Sequence, residues 1–408
     1  MRTGIIACPI DPALSNKRYK SLKTEIKPSY VIDDIKKIEK IKIKNINKVS
    51  FQNNYKKIFV MLYSSGTTGE PKGILHTTSS LIASAKSFAQ LLGINNESVI
   101  YHHFPMYYMA GIFNMFLCPM VSGAKIVLGK RFSKEQMLTF WDVPMKNSVN
   151  NLTLTPTMAI SLAKIYRHDD SIMKYIKSID SIISTGSYLH KSIFDEFKMK
   201  FSIPLQTCYG VTEVGGSITL MSKKESELSI KDCVGYFDND IDFICDGTKN
   251  KPSEIIVKTP FMMSGYYING KIKSGLKDGY FYTGDIGYLK NNSLFITGRK
   301  GERIKKGGEF ISLLYIENTL MNFHLIDELS VVSIEDPFWG NKILIFYVSS
   351  IRDKDNSLKG EFINYSLKHL TSIEMPDDYI RIKKMPKTSI GKVRKKELLD
   401  LYKKNMDI

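Results

Sequence analysis

Residues 63–73 read YSSGTTGEPKG and form the most informative segment of the chain. Positions 64–69 hold only Ser, Thr and Gly, and a Lys-Gly pair closes the segment. Glycines let the backbone come close to an anion, consecutive N–H groups and hydroxyls donate to phosphate oxygens, and a lysine adds positive charge. The spacing G-x-x-x-x-G-K-[ST] is absent, which excludes the P-loop of the nucleotide hydrolases. The segment therefore predicts a phosphate-binding loop of another kind.

Predicted strands and helices alternate around this loop. The apolar run Ile58–Tyr63 before it predicts a buried strand, and the apolar periodicity of residues 81–92 after it predicts a helix. The alternation continues to about residue 230 and indicates a largely parallel sheet with helices on its faces. The further predicted strands are 99–104, 125–128, 151–154, 178–184 and 205–209, and the further helices are 157–166 and 190–201.

The second half of the chain has a different pattern. Residues 232–297 read as short strands separated by Gly, Asp and Asn turns, which predicts a small β subdomain. A polar, Gly-rich segment follows, and beyond it lie mixed strands and helices. The predicted fold class is therefore α/β: a large N-terminal α/β domain with a small β subdomain, then an α+β C-terminal domain. We place the boundary so that the domains are 1–298 and 299–408.

The composition is that of a globular protein, with 43% hydrophobic and 24% charged residues among 408. No stretch offers the ~20 consecutive apolar residues of a membrane span. The N-terminus has too short an apolar core for a signal peptide, so we expect a cytoplasmic protein. The five cysteines are scattered without a C-x-x-C pair, which predicts neither a zinc site nor a disulfide framework.

The net charge of +17 raises nucleic-acid binding as an alternative function. Only nine of the 58 basic residues are Arg, the residue that specific phosphate and base recognition favours. We therefore predict no nucleic-acid partner. Basic residues concentrate at 36–57, interpreted as a solvated face, and at 381–396, where eight basic residues stand without an acid.

Five segments in order resemble the signatures of the adenylate-forming (AMP-binding) acyl-CoA synthetase superfamily. The loop at 63–73 resembles its phosphate-binding signature, and TCYGVTE at 207–213 its Y-G-x-T-E segment. DGYFYTGD at 278–285 resembles the ribose-binding segment, and PKTSIGKVR at 386–394 the catalytic-lysine motif. Gly298-Arg299 followed by Gly307-Gly308-Glu309 resembles the domain junction. The resemblance implies that the C-terminal domain is a mobile lid.

The resemblance also implies the activity of an AMP-forming acid–CoA ligase. A carboxylate attacks the α-phosphorus of ATP, giving an acyl-adenylate and pyrophosphate, and a thiol then displaces AMP. Two anions meet in the first step, so positive charge and a metal must offset their repulsion. The implied cofactors are ATP, Mg²⁺ and CoA, with a small-molecule carboxylic acid as substrate.

Two alternatives to this activity stay open. One is an adenylation enzyme that loads the phosphopantetheine of an acyl carrier protein, because this arm is the same as that of CoA. The other is a catalytically impaired, synthetase-like binding protein. An amino-acid substrate is disfavoured because residues 107–114 lack an acid for the ammonium group. The sequence does not separate aryl from alkyl acids.

By this resemblance, the catalytic residues are Thr67, Glu213 and Lys392. Glu213 ligates Mg²⁺, a cation that suits one carboxylate plus phosphate oxygens. The side chain of Asp285 accepts both ribose hydroxyls, and Lys392 reaches the reacting carboxylate and α-phosphate. The implied ATP-binding residues are Ser64, Ser65, Gly66, Thr67, Thr68, Gly69, Lys72, Tyr209, Thr212, Asp285 and Arg299. Among them, Thr67, Thr68 and Lys72 hold the β- and γ-phosphates, Thr212 the α-phosphate and Tyr209 the adenine.

The remaining implied sites follow the same resemblance. The acyl pocket is formed by Tyr108, Gly111, Gly186, Ser187 and Gly210. The thiol channel passes Gly307 and Gly308, and Gly301 stands at the hinge position. The family usually has Asp or Lys at that position, and a glycine that only completes a tight turn is an equal interpretation of Gly301. Many family members carry His at the position of Tyr108, so a pocket wall and a core aromatic are equal interpretations. His102, His103 and His190 are interpreted as structural.

The chain also departs from the family at its N-terminus. Residues 4–12 resemble a segment that normally lies well inside the N-terminal domain. We therefore expect the outermost N-terminal subdomain to be missing. Either a homo-oligomer or a partner covers the apolar surface so exposed, or the sequence is a fragment or a degraded copy.

Overall fold

The structure is a computed structural model that describes residues 6–12, 14, 16–34, 57–63, 72–228, 230, 232–306, 309–351, 357–388 and 391–406. Its strands, in chain order, are β1 Ile58–Tyr63, β2 Gly73–Thr77, β3 Val99–His102, β4 Lys125–Leu128, β5 Asn151–Leu154, β6 Ser181–Ser184, β7 Gln206–Val211, β8 Gly216–Leu220, β9 Cys233–Phe237, β10 Asp242–Ile244, β11 Ser253–Lys258, β12 Gly265–Ile268, β13 Lys271–Lys273, β14 Phe281–Lys290, β15 Ser293–Arg299, β16 Arg303–Lys306, β17 Glu309–Ser312, β18 Glu328–Asp336, β19 Gly340–Val348 and β20 Asp378–Arg381.

The helical elements fall mostly between the strands. The α-helices are α1 Asn16–Ile26, α2 Thr78–Leu92, α3 Met109–Ile112, α4 Cys118–Ser122, α5 Lys134–Met137, α6 Asp142–Lys146, α7 Pro156–Ile165, α8 Asp170–Ile176, α9 Lys191–Phe201, α10 Lys223–Glu227, α11 Leu313–Leu320, α12 Ser357–His369 and α13 Lys395–Met406. A π-helical turn covers Phe113–Leu117, and 3₁₀ turns cover Thr212–Val214 and Lys300–Glu302. In the part of the chain that the structure describes, no helix is long and apolar enough to cross a membrane.

An eleven-stranded sheet forms the centre, in the order β10-β11-β14-β15-β9-β8-β7-β6-β5-β3-β4. Strands β4, β3, β5, β6 and β7 pair in parallel, which confirms the predicted parallel sheet for this part of the chain. From β7 outward to β10 every pairing is antiparallel. The predicted β subdomain is therefore continuous with the parallel sheet, because β7 pairs with β6 on one side and with β8 on the other.

A second sheet has the order β1-β2-β12-β13 and is antiparallel. Assigning β1 to the parallel sheet was therefore wrong, and strand β2 was not predicted. Residues 58–63 and 73–77 lie on the two sides of the predicted phosphate loop, and they pair with each other as adjacent antiparallel strands. The backbone of Ala7 adds to the edge at β1, since its N–H donates to the Phe59 carbonyl at 3.0 Å.

Helices pack on the parallel sheet through apolar side chains that include the fully buried Phe88, Phe113 and Phe197. Helix α2 begins after Thr77, whose side chain accepts from the Ser80 N–H, and α7 begins at Pro156 after the N-cap Thr155. Both are sequence signals that start a helix.

The C-terminal part has its own sheet, β18-β19-β20, and its own hairpin, β16-β17. One apolar cluster, with Ile316 and Phe362, packs on one face of this sheet, and a smaller one, with Phe346 and Leu398, on the other. Among the described residues, every apolar cluster lies either before residue 297 or after residue 303. A domain boundary between 298 and 299 is consistent with this division and stays a prediction.

Candidate active site

Asp285 lies in β14 opposite Arg299 of β15. The Tyr209 hydroxyl donates to one carboxylate oxygen of Asp285 at 2.7 Å, and Arg299 Nε lies 3.5 Å from the other. Asp285 is only 8% exposed. Burial raises the pKa of Asp285, while the Arg299 charge and the Tyr209 hydrogen bond oppose that rise. The structure thus brings together three predicted ATP-binding residues around one buried carboxylate.

Lys392 lies in the electrostatic field of this group. Burial lowers the pKa of Lys392, and the positive charge of Arg299 lowers it further, while Glu302 and Asp285 counteract them. The turn before Lys392 docks on the N-terminal domain, because Thr157 Oγ1 donates to the Gly391 carbonyl at 3.1 Å. Gly391 has a φ of +88°, and a Cβ there would lie 2.8 Å from Thr157. The tight approach of this turn therefore requires glycine.

Charged side chains that were not predicted form contacts within the C-terminal domain and between it and the N-terminal domain. Lys395 Nζ lies 2.8 Å from Glu302 Oε1 and 3.5 Å from Glu317 Oε2. Burial acts to lower the pKa of Lys395, but the two carboxylates outweigh it and raise that pKa. Glu317 also reaches the N-terminal domain, since its Oε1 lies 3.7 Å from His190 Nε2. His190, which was interpreted as structural, therefore lies in the contact between the C-terminal and N-terminal domains. No local sequence signal indicates this contact.

Glu213 lies in the 3₁₀ turn Thr212–Val214 and has a separate set of contacts. Its Oε1 accepts from the Tyr266 hydroxyl at 3.0 Å, and its carbonyl accepts from the Met263 N–H at 2.8 Å. His76 anchors the turn, because its Nε2 donates to the Thr212 carbonyl at 2.7 Å. His76 is fully buried, and this burial lowers its pKa to about 4, so the neutral ring is the donor.

Lys72 lies on the same side as Glu213. Its Nζ is 5.2 Å from the centroid of the Tyr266 ring, within the range of a cation–π contact. Burial, and to a smaller extent the Glu213 carboxylate, raise the pKa of Tyr266, so the phenol stays protonated. Neither Tyr266 nor His76 was predicted, because their positions depend on pairings between distant segments.

The predicted acyl-pocket residues lie at the carboxyl ends of β6 and β7 and beside α3. The Tyr108 hydroxyl lies 2.9 Å from where a Cβ on Gly186 would stand, and Gly186 has a φ of +92°. A Cβ on Gly210 would lie 1.8 Å from the Gly216 carbonyl oxygen. Burial raises the pKa of Tyr108 to about 12. Ser187 is exposed in the turn after β6, and Gly111 is buried in α3.

Several predicted residues lie outside the described residues: Ser64, Ser65, Gly66, Thr67, Thr68 and Gly69 of the phosphate loop, and Gly307 and Gly308 of the thiol channel. Gly301 lies in the 3₁₀ turn Lys300–Glu302, directly after β15.

Asp285 with its Tyr209 and Arg299 partners, and the turn before Lys392 docked on the N-terminal domain, bring residues of four of the predicted motifs into one region. The sequence model of the AMP-binding enzyme family matches residues 1–267, and that of the AMP-binding enzyme C-terminal domain matches residues 315–392. The chain belongs to the AMP-binding enzyme family. The predicted superfamily, the α/β fold class and the prediction of an AMP-forming ligase are thereby confirmed.

The chain is similar to named relatives over most of its length. It is 27% identical over 347 residues to the 2-succinylbenzoate–CoA ligase of Listeria monocytogenes, covering 84% of this chain and 70% of that protein. It is 24% identical over 381 residues to the mitochondrial malonate–CoA ligase of Xenopus laevis, covering 83% and 64%.

Solved structures share the fold. ATP-bound MatB from Rhodopseudomonas palustris superimposes with a TM-score of 0.82 at 19% identity, covering 98% of this chain and 84% of that one. The o-succinylbenzoate CoA synthetase of Bacillus subtilis, in complex with its acyl-adenylate, gives a TM-score of 0.77 at 23% identity, covering 95% and 77%.

Proposed function

We propose that the protein activates a carboxylic acid as an acyl-adenylate with release of pyrophosphate, and then transfers the acyl group to the thiol of CoA. The observation that carries this proposal is the docking of the turn before Lys392 on the N-terminal domain, where Thr157 Oγ1 donates to the Gly391 carbonyl at 3.1 Å. The Asp285–Arg299 pair belongs to the same region, and both of its charges act on the pKa of Lys392. In this position of the C-terminal domain, Lys392 would face the α-phosphate of an ATP molecule whose ribose is bound by Asp285.

Asp285 binds the ribose in this proposal. Its two oxygens accept from the ribose hydroxyls, while Tyr209 and Arg299 hold the carboxylate in place. A charged carboxylate is a stronger acceptor than a neutral group. Tyr209 would then lie beside the nucleoside, and Thr212 beside the α-phosphate.

Lys392 supplies the positive charge that the first step needs. The attacking carboxylate and the α-phosphate repel each other as they approach. Because Lys392 is partly buried, its charge would act on both oxygens with less screening than in open water. Binding of these anions also raises the proton affinity of the amine, which keeps it charged during the reaction.

Glu213 and Lys72 fit a metal-bound triphosphate. Mg²⁺ commonly binds one or two carboxylates plus substrate phosphates, and within the described residues Tyr266 donates to only one oxygen of Glu213. When bound, Mg²⁺ would neutralise charge on the departing pyrophosphate. Lys72 and the predicted loop residues Thr67 and Thr68 would hold the β- and γ-phosphates.

Transfer to the thiol would need a second position of the lid, because one position cannot bring both Lys392 and the thiol channel to the same carboxyl group. We place the pivot at Gly301 and the thiol channel at Gly307 and Gly308. CoA as the acceptor is supported by the relatives named above, which are CoA ligases that act on different acids. Tyr108, Gly111, Gly186, Ser187 and Gly210 would form the acyl pocket.

ATP–pyrophosphate exchange over a panel of aryl, alkyl and dicarboxylic acids tests the proposal. We expect exchange with a narrow set of acids, and thioester formation when CoA is added. Thioester formation on a carrier protein but not on CoA would correct the acceptor. A chain that binds ATP without exchange for any acid would support the impaired binding protein instead.

A further inference from the structure

Tyr266 contacts two charged residues of the proposed ATP site, Glu213 and Lys72. It was named from the sequence neither as a catalytic nor as an ATP-binding residue. It stands in β12, opposite Ile74 of β2 in an antiparallel pair. Opposed residues in such a pair point to the same face of the sheet. Ile74, Val214 and Tyr266 pack in one apolar cluster, so this face is the one that covers the turn carrying Glu213.

The neighbouring Tyr267 points the other way. It is opposite Gly73, and its hydroxyl donates to the Glu25 carbonyl at 3.4 Å. Two adjacent tyrosines therefore have different surroundings, and of the two it is Tyr266 that contacts Glu213 and Lys72.

The ring and the hydroxyl of Tyr266 each contact one charged group. Its hydroxyl donates to Glu213 Oε1 at 3.0 Å, and its ring centroid lies 5.2 Å from Lys72 Nζ. We infer that Tyr266 is a positioning residue that keeps Lys72 and Glu213 apart and directed at the proposed triphosphate site. Its hydroxyl orients the Glu213 carboxylate toward the metal, and its ring orients the Lys72 amine toward the phosphates. This inference rests on the proposed function.

The chemistry of a phenol suits this task. If the Lys72 ammonium and the Glu213 carboxylate could meet before ATP binds, they would pair with each other, and ATP would then have to break that pair. A phenol offers a neutral donor to the acid and a neutral π face to the cation. Neither contact with Tyr266 cancels a charge, and both weak contacts can yield to phosphate and metal.

Two substitutions separate the two contacts. Tyr266→Phe keeps the ring and removes the hydroxyl, whereas Tyr266→Leu removes both. Tyr267→Phe is the matched control, because it removes a hydroxyl from the adjacent residue on the opposite face. The full chain is used throughout, and thermal unfolding verifies that each variant is folded.

The main measurement is equilibrium ATP binding by calorimetry, with and without Mg²⁺. We expect Tyr266→Phe to bind ATP alone within about twofold of the parent chain, and to lose about tenfold of the gain in affinity that Mg²⁺ gives. Tyr266→Leu weakens ATP binding in both conditions, and Tyr267→Phe changes neither. If Tyr266→Leu does not fold, the Phe variant still tests the hydroxyl.

A second measurement follows Lys72 directly, without ATP. The rate at which an amine-reactive acylating reagent labels Lys72, read by mass spectrometry, should rise in Tyr266→Leu and stay unchanged in Tyr266→Phe, because only the former loses the ring.

Three results would overturn the inference. They are equal Mg²⁺ gains in all variants, equal losses of metal-free ATP binding in Tyr266→Phe and Tyr266→Leu, and unchanged Lys72 labelling in a folded Tyr266→Leu. If the parent chain binds ATP and exchanges pyrophosphate, any of these three results leaves the proposed function intact. A parent chain that does not bind ATP overturns the proposed function and this inference with it.

Discussion

Two carboxylates belong to the proposed ATP site, and the protein surrounds them in opposite ways. Asp285 is nearly buried, with a tyrosine hydroxyl on one oxygen, an arginine at the other and Lys392 in its field. Glu213 is partly buried, and the side chain that contacts it among the described residues is the neutral Tyr266. Within the described ranges, the first acid has a positively charged partner before any ligand binds, whereas the side-chain contact of the second is with a neutral group.

The ligands explain this difference. Ribose hydroxyls are neutral, so a buried acid that binds them must have its charge balanced by the protein. A metal–triphosphate brings its own positive charge, so an acid that binds it is better left uncompensated. The comparison teaches that the proposed nucleoside side of the site is pre-organised, while the proposed metal side is completed by its ligand.

The largest effect on activity is expected at Lys392, the residue that the C-terminal domain contributes to the proposed nucleoside side. Lys392→Ala removes a charge aimed at the developing transition state, and it should lower the rate of pyrophosphate exchange by about 10²–10³. Thioester formation from supplied acyl-adenylate should persist. The exposed Lys396, substituted by Ala, is the control. Equal losses in both half-reactions would show that Lys392 acts elsewhere than in adenylation.

The pre-organised acid itself gives the next effect. Asp285→Asn keeps the shape but removes the charge that compensates Arg299, and ATP binding should weaken about 10–100-fold without Mg²⁺. The response to Mg²⁺ should be unchanged, since the metal side is intact. Calorimetry checks both, and a shifted Mg²⁺ titration would contradict the separation of the two sides.

Glu213→Gln tests the other acid. It removes the charge available to the metal, so the Mg²⁺ concentration required for half-maximal exchange should rise about tenfold. Metal-free ATP binding should stay within about twofold of the parent chain. An unchanged Mg²⁺ titration would remove Glu213 from the metal site.

The smallest effect concerns pH and the turn behind Glu213. Burial lowers the pKa of His76 to about 4, below the value of about 6.5 in the unfolded chain. Between these values the unfolded chain binds a proton that the folded chain does not. The free energy of unfolding should therefore fall as pH falls through this window, by at most about 1.4 kcal/mol per pH unit for this group.

Denaturant unfolding between pH 7 and pH 4.5 measures this dependence. His76→Gln, which retains a side-chain donor for the Thr212 carbonyl, should give a shallower dependence on pH. His168→Gln, at a side chain that is 77% exposed, should leave it as in the parent chain. Identical slopes for the parent chain and His76→Gln would show that the His76 ring takes up its proton without unfolding.

The two sides also differ in how far they could be predicted. On the nucleoside side, Tyr209, Asp285, Arg299 and Lys392 were all named from local motifs, and the structure brings them together. On the metal side, Lys72 and Glu213 were named but Tyr266 and His76 were not. Those two residues lie in paired strands that start 192 positions apart, β2 from 73 and β12 from 265.

By itself, the sequence determined the family, the α/β class and the parallel strands from 99 to 211, because ordered motifs and apolar periodicity are local properties of a chain. The placement of β1 in a separate antiparallel sheet, the contact of His190 with Glu317 and the position of Tyr266 between two opposite charges were decided only by the tertiary structure. Each of these depends on which distant segments pair across a sheet or pack across the lid. Such pairings are set by the burial of whole faces and leave no periodic signal in either segment alone.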